Sequence, residues 1–119
     1  HRPDYGDGEQ RRDFVYVKDC VDVMWWLMEN RERNGIFNVG TGQSRTWNDL
    51  ISAVFGAMGM EPQIDYIPMP ENLQAQYQYF TEAKMDKLRK QGCPVSFKSL
   101  EENVRDYVAN YLGAQEAHL

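Results

Sequence analysis

The sequence predicts a mixed α/β fold of short strands with about four helices, and three observations predict it. Two β-branched and aromatic runs, Phe14-Val15-Tyr16-Val17 and Ile36-Phe37-Asn38-Val39, stand on either side of a helix-length apolar stretch, an order that suggests a parallel pair with a helical crossover. Thr46 and Ser99 each open a segment with apolar residues at helical spacing and an acidic residue three positions on. The 119 residues, 42% of them hydrophobic, carry material for one core, so the chain reads as one domain rather than two or a disordered segment.

Residues 1–13 hold two Gly, one Pro and many charges without an apolar period, which is the composition of a loop able to hold a ligand. The first strand, Phe14–Val17, follows at once. Asp19 then stands at an N-cap position before Cys20, Val21 and the run Val23–Met28. Apolar residues cover almost every face of this helix, so it needs neighbours on all sides, and a chain of this size offers few. Asn34-Gly35 is a stop signal, and the second strand, Ile36–Val39, runs into Gly40-Thr41-Gly42.

Thr46 with Asp49 resembles a capping box, and Trp47, Leu50, Ile51, Val54, Phe55 and Met58 recur on one face of a helix that ends near Gly59. Ile64–Ile67 reads as a third strand closed by Pro68 and Pro70, and Glu71–Phe80 is polar and aromatic without a clear period. Thr81 is placed to cap a helix with Glu82 in its first turn and Lys87, Arg89 and Lys90 in its last, complementing the macrodipole, with Gly92 as the stop. Ser99-Leu100-Glu101-Glu102 is a capping box, and Leu100, Val104, Tyr107, Val108, Tyr111 and Leu112 line a last helix ending at Gly113, beyond which the tail is expected to fray.

A net charge of -5 disfavours nucleic acid and anionic membrane as partners, since both need a positive surface. The longest apolar run, Val23–Met28, is far short of the roughly 20 residues that span a bilayer. Two cysteines, Cys20 and Cys93, make no disulfide framework, and a reducing cytoplasm is the expected compartment. The chain opens His1-Arg2-Pro3-Asp4 without Met, the look of a cut through a longer protein.

Metal binding is not expected, because the histidines, His1 and His118, stand at opposite ends without companion ligands. Neither cysteine has a histidine nearby in sequence to act as a base, and Cys20 reads as a core residue. Asp4, Asp7 and Glu9 lack the terminal Glu of a calcium loop and read as a solvated turn. Asn38-Val39-Gly40-Thr41-Gly42 lies where amides can approach a phosphate, but it has neither the third glycine of a dinucleotide fingerprint nor the Lys-Ser/Thr of a P-loop, so a tight structural turn is favoured. Arg11-Arg12 is either a fork for a diphosphate or a solvated pair, and Tyr77 and Tyr79 either meet a sugar or base or pack in the core.

The run Arg12-Asp13-Phe14-Val15-Tyr16-Val17-Lys18-Asp19, followed by Phe37-Asn38-Val39-Gly40-Thr41-Gly42, resembles the C-terminal part of the extended short-chain dehydrogenase/reductase family, whose members act on nucleotide sugars. Tyr66-Ile67-Pro68-Met69-Pro70 and Tyr77-Gln78-Tyr79-Phe80-Thr81 are most similar to its epimerases of ADP-linked heptose, and the likeness runs from about Asp4 to Leu112. The resemblance implies that residues 1–119 are a C-terminal substrate-binding portion, with the N-terminal Rossmann cofactor domain absent from this chain. It implies substrate-binding roles for Arg12, at the diphosphate, and for Tyr77. Gln76 stands where related sequences can carry a basic residue, and Asn38–Gly42 look structural in the family.

The implied activity is inversion of C6 of an ADP-linked sugar by transient oxidation and re-reduction with NADP, in supply of the lipopolysaccharide inner core. UDP- or dTDP-sugar epimerases and dehydratases share the main motifs and remain an alternative, as does a non-catalytic binding module. The family's catalytic Tyr-x-x-x-Lys pair does not occur here: the fourth residue after Tyr5, Tyr16, Tyr66, Tyr77, Tyr79, Tyr107 and Tyr111 is Glu9, Cys20, Pro70, Thr81, Ala83, Tyr111 and Gln115. No catalytic, cofactor-binding or metal residue is therefore expected, and the chain alone is expected to be inactive. The parent is expected to be a homo-oligomer, and the isolated chain to self-associate through the helix from Cys20 to Met28.

Overall fold

The computed structural model describes residues 5–113. His1, Asp4, His118 and the tail expected to fray lie outside the described residues. The elements run β1 (Arg11–Arg12), α1 (Val17–Glu29), β2 (Arg45–Thr46), α2 (Trp47–Ala57), α3 (Glu71–Gln74), α4 (Asp86–Lys90) and α5 (Leu100–Tyr107), which continues as a wide π turn over Val108–Leu112. The mixed class stands, but the strands lie elsewhere than the β-propensity suggests. β1 and β2 pair antiparallel, Arg11 opposite Thr46 and Arg12 opposite Arg45, and Arg11 also forms a parallel bridge to Phe80.

The three expected strands have no ladder partner among the described residues, and side chains hold them instead. In the first, Phe14 packs edge-on against Trp47 with ring centroids 5.1 Å apart, and the Tyr16 hydroxyl donates to Asp106 at 2.6 Å. In the second, the Ile36 carbonyl accepts from Lys87 Nζ at 2.8 Å, while Phe37 and Val39 turn into the core. In the third, Tyr66 donates to Asn48 Oδ1 and leaves Ile67 84% exposed. Propensity for a pleated surface does not make a strand without a neighbouring edge to bind.

The helices start where backbone partners allow. Thr46 and Asp49 form the expected capping box of α2, and Ser99 and Glu102 that of α5. α1 begins two residues before Asp19, at a Tyr16 cap without side-chain hydrogen bonding; Asp19 sits buried in the first turn and accepts from Asn103 Nδ2 at 2.8 Å. α4 begins at Asp86 rather than after Thr81, because residues 81–83 are committed elsewhere: Thr81 N–H donates to the Arg11 carbonyl at 3.2 Å, Ala83 N–H to Asp13 at 3.0 Å, and Glu82 accepts from Ser44 N–H at 2.8 Å. Its last turn carries Lys87, Arg89 and Lys90 as expected.

Val23, Met85, Leu88 and Cys93 form the buried core, with Trp26, Leu27, Phe37, Val39 and Phe97 packed against it. The outer face of α1 has no cover among the described residues: Met24, Trp25 and Met28 are 61%, 60% and 62% exposed. None of α2 is fully buried; its apolar face and that of α5 flank an open apolar groove whose walls include Phe14, Val54, Val104 and Tyr107. No helix among the described residues is long and apolar enough to cross a membrane.

Candidate functional site

β1 is the middle of a small backbone assembly. On one side it pairs with β2; on the other, Arg11 N–H donates to the Tyr79 carbonyl at 2.8 Å, and Thr81 N–H returns to Arg11. Trp47 N–H donates to the Gln10 carbonyl at 3.1 Å, which seats the start of α2 against the same segment. Successive strand residues face opposite ways. Arg11 is tied to buried Ser44, donating Nε to the hydroxyl at 3.0 Å and a second N–H to the carbonyl at 2.8 Å. Arg12 lies with its guanidinium carbon 4.9 Å from the centroid of the Tyr77 ring.

The two residues singled out as substrate contacts, from opposite halves of the sequence, are therefore stacked. A cation over an aromatic face is attractive, and a guanidinium so placed retains N–H groups for other acceptors. One of those N–H groups donates to the Arg11 carbonyl at 3.0 Å, and no carboxylate pairs with Arg12 among the described residues. The Tyr77 hydroxyl accepts the Trp47 indole N–H at 2.9 Å, and its ring meets Tyr79 edge-on at 5.4 Å.

Tyr77 is one wall of a cleft of about 510 Å³, whose other walls are Asp7, Gly8 and Gln10 from the opening loop, Tyr66–Pro70, and Gln74. Asn48 holds the opening loop in place: its N–H donates to the Gly8 carbonyl at 3.0 Å, and its side-chain amide to the Asp7 carbonyl and to Glu9 at 2.9 and 2.7 Å. Gly8 is required there, because its φ of 73° is left-handed and a Cβ would fall on the Asn48 amide. Asp7 and Glu9 thus serve in a loop anchored by an asparagine.

The Asn38–Gly42 turn is closed. The Asp13 carboxylate accepts from the Thr41 N–H and hydroxyl at 3.0 and 2.5 Å, and from the N–H groups of Gly42 and Ala83, both at 3.0 Å. Burial pushes the Asp13 carboxyl up, but the hydrogen bonds from Thr41, Ala83 and Gly42 outweigh it and hold it below the ordinary carboxylate range. A Cβ on Gly40 would lie 2.6 Å from that of Ala83 and 2.7 Å from an Asp13 oxygen. The amides that a phosphate would need are spent on an internal carboxylate, so this turn does not fit a dinucleotide cofactor.

Sequence reasoning gave no role to Asp13 or Trp47. The signal for Asp13 was the Gly-Thr-Gly turn itself, whose amides require an anion; Trp47 had none, because its partner Tyr77 is distant in sequence. Gln76 is exposed and brings no cation to the site. Burial and the charge of Asp19 raise the Cys20 thiol, the opposite of an activated nucleophile, and Cys93 is buried in the core. A larger cleft between α1 and α5 holds Lys18 and Tyr16, both bound to Asp106, at 2.8 and 2.6 Å; its lining mixes acidic and basic side chains and includes neither Arg12 nor Tyr77.

Residues 3–40 match the NAD dependent epimerase/dehydratase family. The chain is 63% identical over 117 residues to the ADP-L-glycero-D-manno-heptose-6-epimerase of Nitratidesulfovibrio vulgaris (strain Hildenborough), covering 98% of this chain and 36% of that protein. It is 46% identical over 125 residues to the protein of the same name from Fusobacterium nucleatum, covering 100% of this chain and 38% of the relative. A UDP-N-acetylglucosamine 4-epimerase structure from Methanobrevibacter ruminantium, in complex with UDP-N-acetylmuramic acid, superposes with a TM-score of 0.70 at 26% identity over 89% of this chain and 34% of that one. An NAD dependent NDP-hexosamine 5,6-dehydratase of tunicamycin biosynthesis superposes at 0.62 with 30% identity, over 85% and 32%. By sequence and fold the chain is similar to nucleotide-sugar epimerases and dehydratases, and it spans about a third of the length of the relatives it matches.

Proposed function

We propose that this chain is the C-terminal, substrate-binding portion of a nucleotide-sugar epimerase that inverts C6 of an ADP-linked heptose, supplying the lipopolysaccharide inner core. The relatives' names support the substrate. The observation that supports the reading is the Arg12 guanidinium over the ring of Tyr77, the tyrosine that lines the cleft. A guanidinium without a carboxylate partner among the described residues, next to a phenol, is a donor set for the oxygens of a diphosphate.

Arg12 holds the diphosphate through charge-assisted hydrogen bonds and Tyr77 orients the ligand beside it. Binding energy from the non-reacting ADP end then fixes the heptose for chemistry carried by the rest of the protein. The nicotinamide cofactor, proposed to be NADP, belongs to an N-terminal Rossmann domain, since the Gly40–Gly42 turn here is filled by Asp13. The chain alone is inactive in this reading, and the parent is a cytoplasmic homo-oligomer that binds neither nucleic acid nor membrane.

The test is Arg12→Ala in the full-length protein. The Michaelis constant for ADP-heptose should rise roughly ten- to hundredfold, the equivalent of the ~1.5–3 kcal/mol of a hydrogen bond to a charged group. An unchanged constant removes Arg12 from the site, and faster turnover of UDP- or dTDP-sugars than of ADP-heptose overturns the assigned substrate.

A further inference from the structure

We propose that Trp47 is a positioning residue of the substrate site: its indole N–H sets the Tyr77 hydroxyl as a hydrogen-bond donor toward the cleft. This rests on the function proposed above and adds a residue to it.

Three observations and the chemistry of a hydroxyl converge on Trp47. Its Nε1–H donates to Tyr77 Oη at 2.9 Å. A tyrosine hydroxyl carries one proton and accepts through its lone pairs, so an incoming N–H leaves the phenol proton to turn elsewhere. Arg12 occupies a face of the Tyr77 ring and Tyr79 meets it edge-on, which fixes the ring's plane. Trp47 is itself held: it is the first residue of α2, directly after the Thr46 cap; its backbone N–H is bound to Gln10, and Phe14 packs edge-on against its indole.

Tyr77, a wall of the cleft, thereby offers its hydroxyl proton, and Arg12 over its ring carries further N–H groups, a pairing that suits a ligand rich in acceptor oxygens. Without the indole N–H, the hydroxyl is free to turn its own proton toward the space the indole leaves. The ligand then meets an oxygen lone pair where a proton is needed.

The experiment is a double-mutant cycle in the full-length protein, read as the Michaelis constant for ADP-heptose and as calorimetric affinity for ADP. Trp47→Phe removes the N–H and keeps an aromatic body, and thermal melting verifies that each variant is folded. Replacing Trp47 by benzothienylalanine, which puts sulfur in place of the N–H at nearly the same shape, repeats the test should the smaller phenyl ring fail to fold. The expected result is a rise of about three- to tenfold in the Michaelis constant for either Trp47 variant with kcat little changed. In a Tyr77→Phe background the same Trp47 replacements should have no further effect.

If Tyr77→Phe weakens binding while the Trp47 variants do not, or if the Trp47 effect is the same with and without the Tyr77 hydroxyl, Trp47 is only packing and the inference fails, with the proposed site intact. If Tyr77→Phe itself leaves both readouts unchanged, the Tyr77 role in the proposed function fails together with this one.

Discussion

The guanidinium of Arg12 lies 4.9 Å from the ring centre of Tyr77, and among the described residues this cation meets an aromatic face rather than a carboxylate. A carboxylate would neutralise the charge that a diphosphate needs; an aromatic face leaves it intact. Arg12→Lys should therefore fail to substitute. Lysine keeps the charge but loses the planar fork and its stacking, and the Michaelis constant for ADP-heptose in the full-length protein should fall between those of wild type and Arg12→Ala. A lysine variant equal to wild type would show that point charge alone suffices.

Asp13 joins β1 to the Thr41-Gly42 turn and to Ala83, and its carboxyl is held below the usual range by those donors. A carboxyl depressed in the folded state binds fewer protons there than when unfolded. Its contribution to stability is then complete above the unfolded value, near 3.8, and is lost as pH falls through the lower folded value. Asp13→Asn should lower the melting temperature of the full-length protein at neutral pH, and the deficit should shrink as pH falls below about 4. A deficit independent of pH would mean that the carboxylate charge contributes nothing to this clamp.

Ser99 caps α5 through the Glu102 N–H at 3.1 Å, on an exposed surface away from the cleft. Ser99→Ala should cost about 1 kcal/mol in chemical denaturation without moving the Michaelis constant, and Ser99→Asp should cost only a few tenths. An alanine variant as stable as wild type would show that the cap is redundant with the α5 packing.

The exposed Met24, Trp25 and Met28 form an apolar strip on α1. Expressed alone, residues 1–119 should self-associate with rising concentration in sedimentation experiments, and Met24→Glu combined with Trp25→Glu should shift the chain toward monomer. A wild-type chain that stays monomeric throughout would contradict the strip's role.

Local chemistry determined α2 and α5 outright: each capping box lies within four consecutive residues and acts on the amides of its own first turn, so no distant partner is needed. The basic last turn of α4 and the apolar excess of α1 were equally legible. Only the tertiary structure decided which extended segments became strands. A ladder needs a second edge, and the edges that met were Arg11–Arg12 with Arg45–Thr46 and Phe80, not the β-branched runs. It also decided that α4 starts at Asp86, that Arg11 turns inward to Ser44, and that Asp13 fills the Gly-Thr-Gly turn. Each of those outcomes depends on a hydrogen-bond partner from a remote part of the chain, and the stacking of Arg12 on Tyr77 exists only because β1 is bonded to the segment that carries the tyrosine.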